Sequence, residues 1–225
     1  MKDTVIFDLD GTILNTTLGV IEASKYAMRE MGIQELAEEE FSGFIACSPL
    51  KECFKQYCHV DEQTANECCI LYKKHFKENA HKYTKVYDGV IELLEYLKNN
   101  SYKTAVATYK DEQNAKKILS HFELDKYFGT VRGADAEGTL TKKDIILKCM
   151  EELSANKEDA LYIGDTLSDA KASAAAGLEF LAVTYGFGFK TEKDLNESNC
   201  IKAIDSPEKT TEFLRSYLGK GMANV

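Results

Sequence analysis

No stretch of this chain comes near the ~20 consecutive apolar residues that a membrane span requires. Blocks of lysine or arginine are also missing. The 225 residues carry a formal net charge of -9, which speaks against a nucleic-acid surface. There is no C-x-x-C pair: the seven cysteines are an odd number, and five of them fall between Cys47 and Cys69 at other spacings. That pattern argues against both a zinc site and a disulfide framework, and fits reduced thiols. No internal repeat or low-complexity segment occurs, and only two prolines interrupt the chain. The first residues pass straight into an apolar run with no basic n-region or apolar h-region. A secretory leader is therefore not expected, and a cytoplasmic location is.

What the chain does have is Val5-Ile6-Phe7-Asp8-Leu9-Asp10-Gly11-Thr12. Thr4 to Phe7 is a short β-prone run that ends in two carboxylates one residue apart. Alternation along a strand puts Asp8 and Asp10 on one face, and Gly11 marks the strand's end. Two acids, a glycine turn and a hydroxyl make a site for a hard cation and a phosphate: one carboxylate can attack while the other moves a proton. The structural alternative is a solvated turn after an edge strand, and the rest of the chain decides between them.

After Thr12 the pattern is helical for about seventy residues, read at 3.6-residue spacing. Helices are expected over Thr17 to Met31, Glu38 to Phe44 and Asp61 to Asn79. Cys69, Tyr72 and Phe76 in the last of these are read as packing residues. Phe44 to Leu50 contains Pro49 and reads as a bend facing a site. From Val86 the rhythm changes to alternating strand and helix. Asp88 is placed as the cap of a helix whose buried stripe is Val90, Leu93, Leu94 and Leu97. Strands are expected at Thr104 to Thr108, Thr130 to Gly133, Ala160 to Ile163 and, as the last, Phe180 to Thr184. Helices over Asp111 to Phe122, Lys142 to Leu153 and Ala170 to Ala176 separate them, and the tail from Leu218 is expected to fray. The alternation predicts an α/β fold with a doubly wound parallel sheet.

Ligands of such sheets sit at the carboxyl ends of the strands. Asp8 and Asp10 end the first strand, and Thr108, Tyr109 and Lys110 end the second. Lys142 and Lys143 open the helix after the third, and Asp165 ends the fourth with Asp169 one helical turn on. Acids, a hydroxyl and a cation at four separate strand ends are hard to account for as structure alone. Of the two lysines, Lys142 lies on the inward side of the stripe set by Ile145, Ile146 and Cys149, while Lys143 lies on the flank.

In these four motifs the chain resembles a haloacid-dehalogenase-superfamily phosphatase with a helical cap, most similar to the phosphoglycolate-phosphatase-like members. The run Thr184-Tyr185-Gly186-Phe187-Gly188 resembles their loop after the following strand. The resemblance implies a Rossmann-like core from residues 1–15 and 85–225, an all-helical cap from 16–84, and Mg²⁺-dependent hydrolysis of a small phosphorylated metabolite. It also implies the roles. Asp8 would be the nucleophile and a metal ligand. Asp10 would be the acid and base, with its carbonyl on the metal. Thr108 and Lys142 would stabilise the phosphoryl group, and Asp165 would hold the metal. Asp169 would either support the metal or bond the lysine. Substrate or phosphate contacts would fall to Leu9, Tyr109, Lys110, Cys47 and Ser48. Tyr109 departs from the small polar residue usual there, and Asn15 from an aspartate. Phosphoglycolate, a nucleoside monophosphate, a sugar phosphate and pyrophosphate all remain open as substrates. The alternative reaction is a phosphomutase of the β-phosphoglucomutase type.

Overall fold

A computed structural model of the protein describes residues 2–46, 49–135, 139–189 and 191–219. The chain divides into two compact units, Met1–Leu14 with Val86–Val225, and Asn15–Lys85. The core opens with β1 (Thr4–Phe7), all four residues of which are buried. After β2 (Leu14–Asn15) come the helices of the second unit: α1 (Thr17–Glu30), α2 (Glu38–Ala46), α3 (Leu50–Cys58) and α4 (Glu62–Tyr83). The chain resumes the core through β3 (Lys85–Val86), which pairs with β2 in a separate two-stranded sheet. It continues as α5 (Val90–Asn99), β4 (Lys103–Asp111), α6 (Glu112–His121), β5 (Thr130–Ala134), α7 (Lys142–Glu152) and β6 (Ala160–Gly164). The last elements are α8 (Leu167–Ala176), β7 (Glu179–Val183), α9 (Glu192–Ser198), β8 (Lys202–Ile204) and α10 (Pro207–Tyr217).

The main sheet has six parallel strands in the order β5-β4-β1-β6-β7-β8. Counted along the chain, that is the 3-2-1-4-5-6 order of a doubly wound Rossmann-like sheet. Chain direction across the sheet reverses at β1, so the switch point lies at its carboxyl end, flanked by β4 and β6. Both faces of the sheet are covered. Phe7, Val106, Leu161 and Ile163 pack with Leu93, Leu94, Leu97 and Leu119 on one side. On the other, Ile6, Ala105, Ala107 and Tyr162 pack with Ile145, Ile146, Cys149 and Ala176. Burial on both faces is why the central strands read as continuous apolar runs rather than as alternation.

The helical unit has its own core of Ala27, Met28, Phe41, Phe44, Cys53, Phe54, Ala65 and Cys68. This narrows the bend expected over Phe44 to Leu50 to the junction between α2 and α3, where Pro49 is extended. Helix α2 continues through Ala46, and Phe44 is buried edge-on against Phe54 with ring centroids 5.2 Å apart. Pro49 is the N-cap of α3, a helix the periodicity did not show. Proline suits a helix start because no intrahelical partner awaits its missing N–H.

Three expectations are corrected. Helix α5 is capped by Gly89 at φ 82, without a side-chain bond from Asp88. Phe180 to Thr184 is not the last strand, because β8 adds an edge; three residues with two of them exposed are too short a signal for periodicity. Leu218 does not fray: it is the C-cap of α10, fully buried, with its N–H donating to Leu214 O. The six cysteines among the described residues are free, and burial pushes Cys58 and Cys68 up to about 11, so both stay as thiols. No helix among the described residues is long and apolar enough to cross a membrane.

Candidate active site

Strand β1 ends at Phe7, and the next residue carries the Asp8 carboxylate out of the sheet at the switch point. The Asp8 backbone N–H donates to Ile163 O at 2.8 Å, which ties the turn to β6. Two residues beyond Ile163 stands Asp165, fully buried. Thr166 then caps α8 in a capping box with Asp169, and Thr166 Oγ1 lies 2.6 Å from Asp169 Oδ2. The T-x-x-D signal for this box is in the sequence and begins the helix three residues earlier than Ala170. The same device, Thr141 with Asp144, starts α7 and fixes Lys142 as its first residue.

These pieces converge. Lys142 Nζ bonds Asp8 Oδ1 and lies 3.0 Å from Asp169 Oδ1. Lys142 is 4% exposed, whereas Lys143 is on the solvent side of α7. Asp169 thus gives one oxygen to the helix cap and the other to the lysine, an arrangement suited to holding Lys142. Tyr162, buried under the site, places its hydroxyl 2.9 Å from Ala107 O and 3.4 Å from Asp169 Oδ1.

The loop after β7 is a part of the site whose contacts the sequence did not announce. Phe187 N–H donates to Asp165 Oδ2 at 2.7 Å. It reaches that oxygen because Gly186 lets the backbone in: a Cβ there would stand 2.4 Å from Asp165 Cβ and 2.3 Å from Gly11 O. Gly11 itself has φ +88 and faces the same carboxylate. Thr12 Oγ1 completes the ring around Asp165 at 3.5 Å from Oδ1. The glycines in Tyr185-Gly186-Phe187-Gly188 were the available signal.

On the other flank, β4 and β5 are in register at Ala107 with Arg132 and again at Asp111 with Ala134, so β4 carries extra residues in between. A bulge of this kind re-aims side chains, and here it lies at Thr108-Tyr109-Lys110. Thr108 is buried, and its Oγ1 accepts from Lys110 N–H at 3.2 Å, which leaves its own proton to donate. Lys110 Nζ reaches Asp10, at 3.0 and 2.8 Å from the two carboxylate oxygens. The Tyr109 hydroxyl turns to α7 and accepts from Lys142 N–H at 3.0 Å. Leu9 is buried in the core, so only its backbone can face a ligand. Cys47 and Ser48 lie outside the described residues.

Charge decides what the site can hold. Oxygens of Asp8, Asp165 and Asp169 lie within 4.8 Å of one another, all buried. Two carboxylates at that separation repel by about 3 kcal/mol at an effective dielectric of ~20. Burial pushes Asp8 up to about 7 against the pull of Lys142, with Asp169 and Asp10 adding to the rise. Asp165 is held well above the usual carboxylate range by burial, then by Asp169 and Asp8. Burial works against the Lys142 ammonium, yet Asp169 and Asp8 outweigh it and raise its pKa. Three carboxylates against one ammonium leave two negative charges uncompensated. An all-oxygen donor set with that deficit fits a hard dication such as Mg²⁺.

The sequence pattern of the haloacid dehalogenase-like hydrolases matches residues 5–183, and the chain belongs to that family. The 5'-nucleotidase of Pseudomonas aeruginosa is 32% identical over 189 residues, which cover 84% of this chain and 85% of that protein. The phosphoglycolate phosphatase of Aquifex aeolicus is 29% identical, over 81% of this chain and 85% of its own length. A crystal structure of a predicted phosphatase from Clostridium acetobutylicum matches with a TM-score of 0.84 at 33% identity, over 96% of this chain and 99% of that one.

Proposed function

We propose that this phosphatase of the haloacid dehalogenase-like family hydrolyses small phosphate monoesters with Mg²⁺ through a phosphorylated Asp8. The observation that carries this is the meeting of Asp8, Asp165 and Asp169 with Lys142 at the switch point, beside the Thr108 hydroxyl. Its relatives named 5'-nucleotidase and phosphoglycolate phosphatase both cleave esters of this class by name, which supports the reading.

In the first step an Asp8 carboxylate oxygen forms a bond to phosphorus as the bond from phosphorus to the alcohol oxygen breaks. Asp10 delivers a proton to that leaving oxygen. In the second, water gives a proton back to Asp10 and attacks the same phosphorus, which frees phosphate and restores Asp8. Thr108 donates to a phosphoryl oxygen and Lys142 balances the charge that spreads over the group. Asp8 and Asp165, with the Asp10 carbonyl, would hold the Mg²⁺, which supplies further charge neutralisation at the phosphoryl oxygens. The helical unit Asn15–Lys85 takes the part of the cap that excludes water and selects the ester.

The test is Mg²⁺-dependent turnover of a panel of phosphate esters by the wild type and by Asp8→Asn. The amide cannot attack phosphorus, so the variant should keep its fold and lose at least ~10³-fold in rate. Near-normal turnover by a correctly folded variant would remove Asp8 from the role of nucleophile. Return of the phosphate to a second sugar hydroxyl, instead of its release, would make the enzyme a mutase.

A further inference from the structure

Tyr109 is half exposed, yet both ends of its side chain are engaged. It stands in the β4 bulge next to Thr108, and its hydroxyl crosses to the start of α7, 33 residues further along the chain. There it accepts the Lys142 backbone N–H at 3.0 Å. The first N–H groups of a helix have no intrahelical acceptor. The Thr141 side chain satisfies the third of them, that of Asp144. Tyr109 therefore caps a donor that the helix's own capping box does not reach. Its ring also lies over the same residue's ammonium, with Nζ 5.4 Å from the centroid. One tyrosine thus contacts Lys142 both at its backbone and at its charged end.

We infer that Tyr109 is a positioning residue for the site, one that acts on the phosphoryl group only through Lys142. The bulge makes this arrangement available. In an unbulged strand, residues 108 and 109 would point to opposite faces of the sheet, whereas here the hydroxyl of Thr108 and the ring of Tyr109 serve one site. Lys142, Asp8 and Asp169 are all buried, and an ion pair in such a site is held more strongly than one in solvent. A contact made to the substrate itself would behave differently. It would show in KM, and it would persist when Lys142 is gone.

The inference rests on the phosphatase reading above, because Lys142 is the residue through which Tyr109 would act. The experiment is a double-mutant cycle on p-nitrophenyl phosphate with Mg²⁺, using Tyr109→Phe, Tyr109→Ala, Lys142→Ala and the double variant Tyr109→Ala with Lys142→Ala. Tyr109→Phe loses one hydrogen bond and keeps the ring, so kcat should fall ~5-fold with KM little changed. Tyr109→Ala loses the ring as well and should fall ~20-fold. In the Lys142→Ala background the Tyr109→Ala change should cost nothing further. An equal loss in both backgrounds, or a rise in KM alone, would overturn the inference in favour of a direct substrate contact. Two readouts need no turnover. Amide hydrogen exchange at Lys142 should speed up in Tyr109→Phe while Ile145 stays protected. Binding of inorganic phosphate should weaken in Tyr109→Ala only when Lys142 is present. Unchanged exchange at Lys142 would also overturn it. A wild type inert toward every ester tested would instead overturn the phosphatase reading, with the exchange and phosphate results still deciding the role of Tyr109.

Discussion

If two uncompensated negative charges define the site, then removing the cation should destabilise the protein, and more so as pH rises. Asp8 and Asp165 both have folded-state values raised above the ordinary 3.8 by burial. A carboxyl raised on folding contributes stability that is complete below its unfolded value and is lost as pH climbs through the folded one. For Asp8 that loss begins near its ordinary 3.8 and is nearly complete once the pH has passed about 7. In chelator the Tm should therefore fall between about pH 5 and about pH 8. Saturating Mg²⁺ reverses the argument, since the dication favours the ionised pair. At a hundred times its Kd, a ligand that binds only the folded state adds ~2.7 kcal/mol. For a chain of this size each kcal/mol is worth roughly 2–4 °C, so the shift at the alkaline end should be about 5–10 °C. At the acid end, with Asp8 and Asp165 protonated, it should nearly vanish. The assay is thermal unfolding in chelator and in Mg²⁺ across that pH range, with Asp165→Asn as control. That variant should lose most of the Mg²⁺ shift. A shift of equal size at both ends of the range, or one that survives in Asp165→Asn, would refute the charge argument.

Two further results follow from the same geometry. Lys142→Ala should cost ~10²-fold or more in kcat/KM, the scale of losing one preorganised electrostatic group, while Lys143→Ala should stay near wild type because its side chain faces solvent; steady-state kinetics on the two variants decides it. Gly186→Ala should raise the Mg²⁺ concentration needed for half-maximal stabilisation by ~10-fold or more, because the new methyl would push Asp165 or the Phe187 N–H out of place, and a metal titration of the Tm reads this directly.

The parts of the site that could be read from the sequence are those whose position follows from the chain alone. Asp8 lies one residue beyond β1 and Asp165 one beyond β6, so once these stretches were read as parallel strands the rule about carboxyl ends put them together. The choice of Lys142 over Lys143 rested on the register of Lys-x-Asp-Ile-Ile against the family it resembles and on the helical stripe of Ile145, Ile146 and Cys149, all fully buried as expected. Even the helix starts at Lys142 and Leu167 were written in the T-x-x-D boxes, although only the structure shows Asp169 sharing itself between the cap and the lysine.

What could not be read depends on pairings between distant segments. The direction of Tyr109 is set by a register shift between β4 and β5, and no pattern inside β4 records that shift. A tyrosine there suggests only a change in pocket shape until α7 is seen within reach of its hydroxyl. The donor on Asp165 is a backbone N–H, and every residue but proline has one, so Phe187 carries no chemical label. Its signal is negative: glycine at 186, where any side chain would strike the carboxylate. Lys110 shows the same limit from the other side. Its charge predicted an anion, and in this structure the anion it meets is Asp10, at 2.8 Å. A lysine at the end of a strand near several acids has more than one partner of the right sign, and only the backbone that carries it decides which one it reaches.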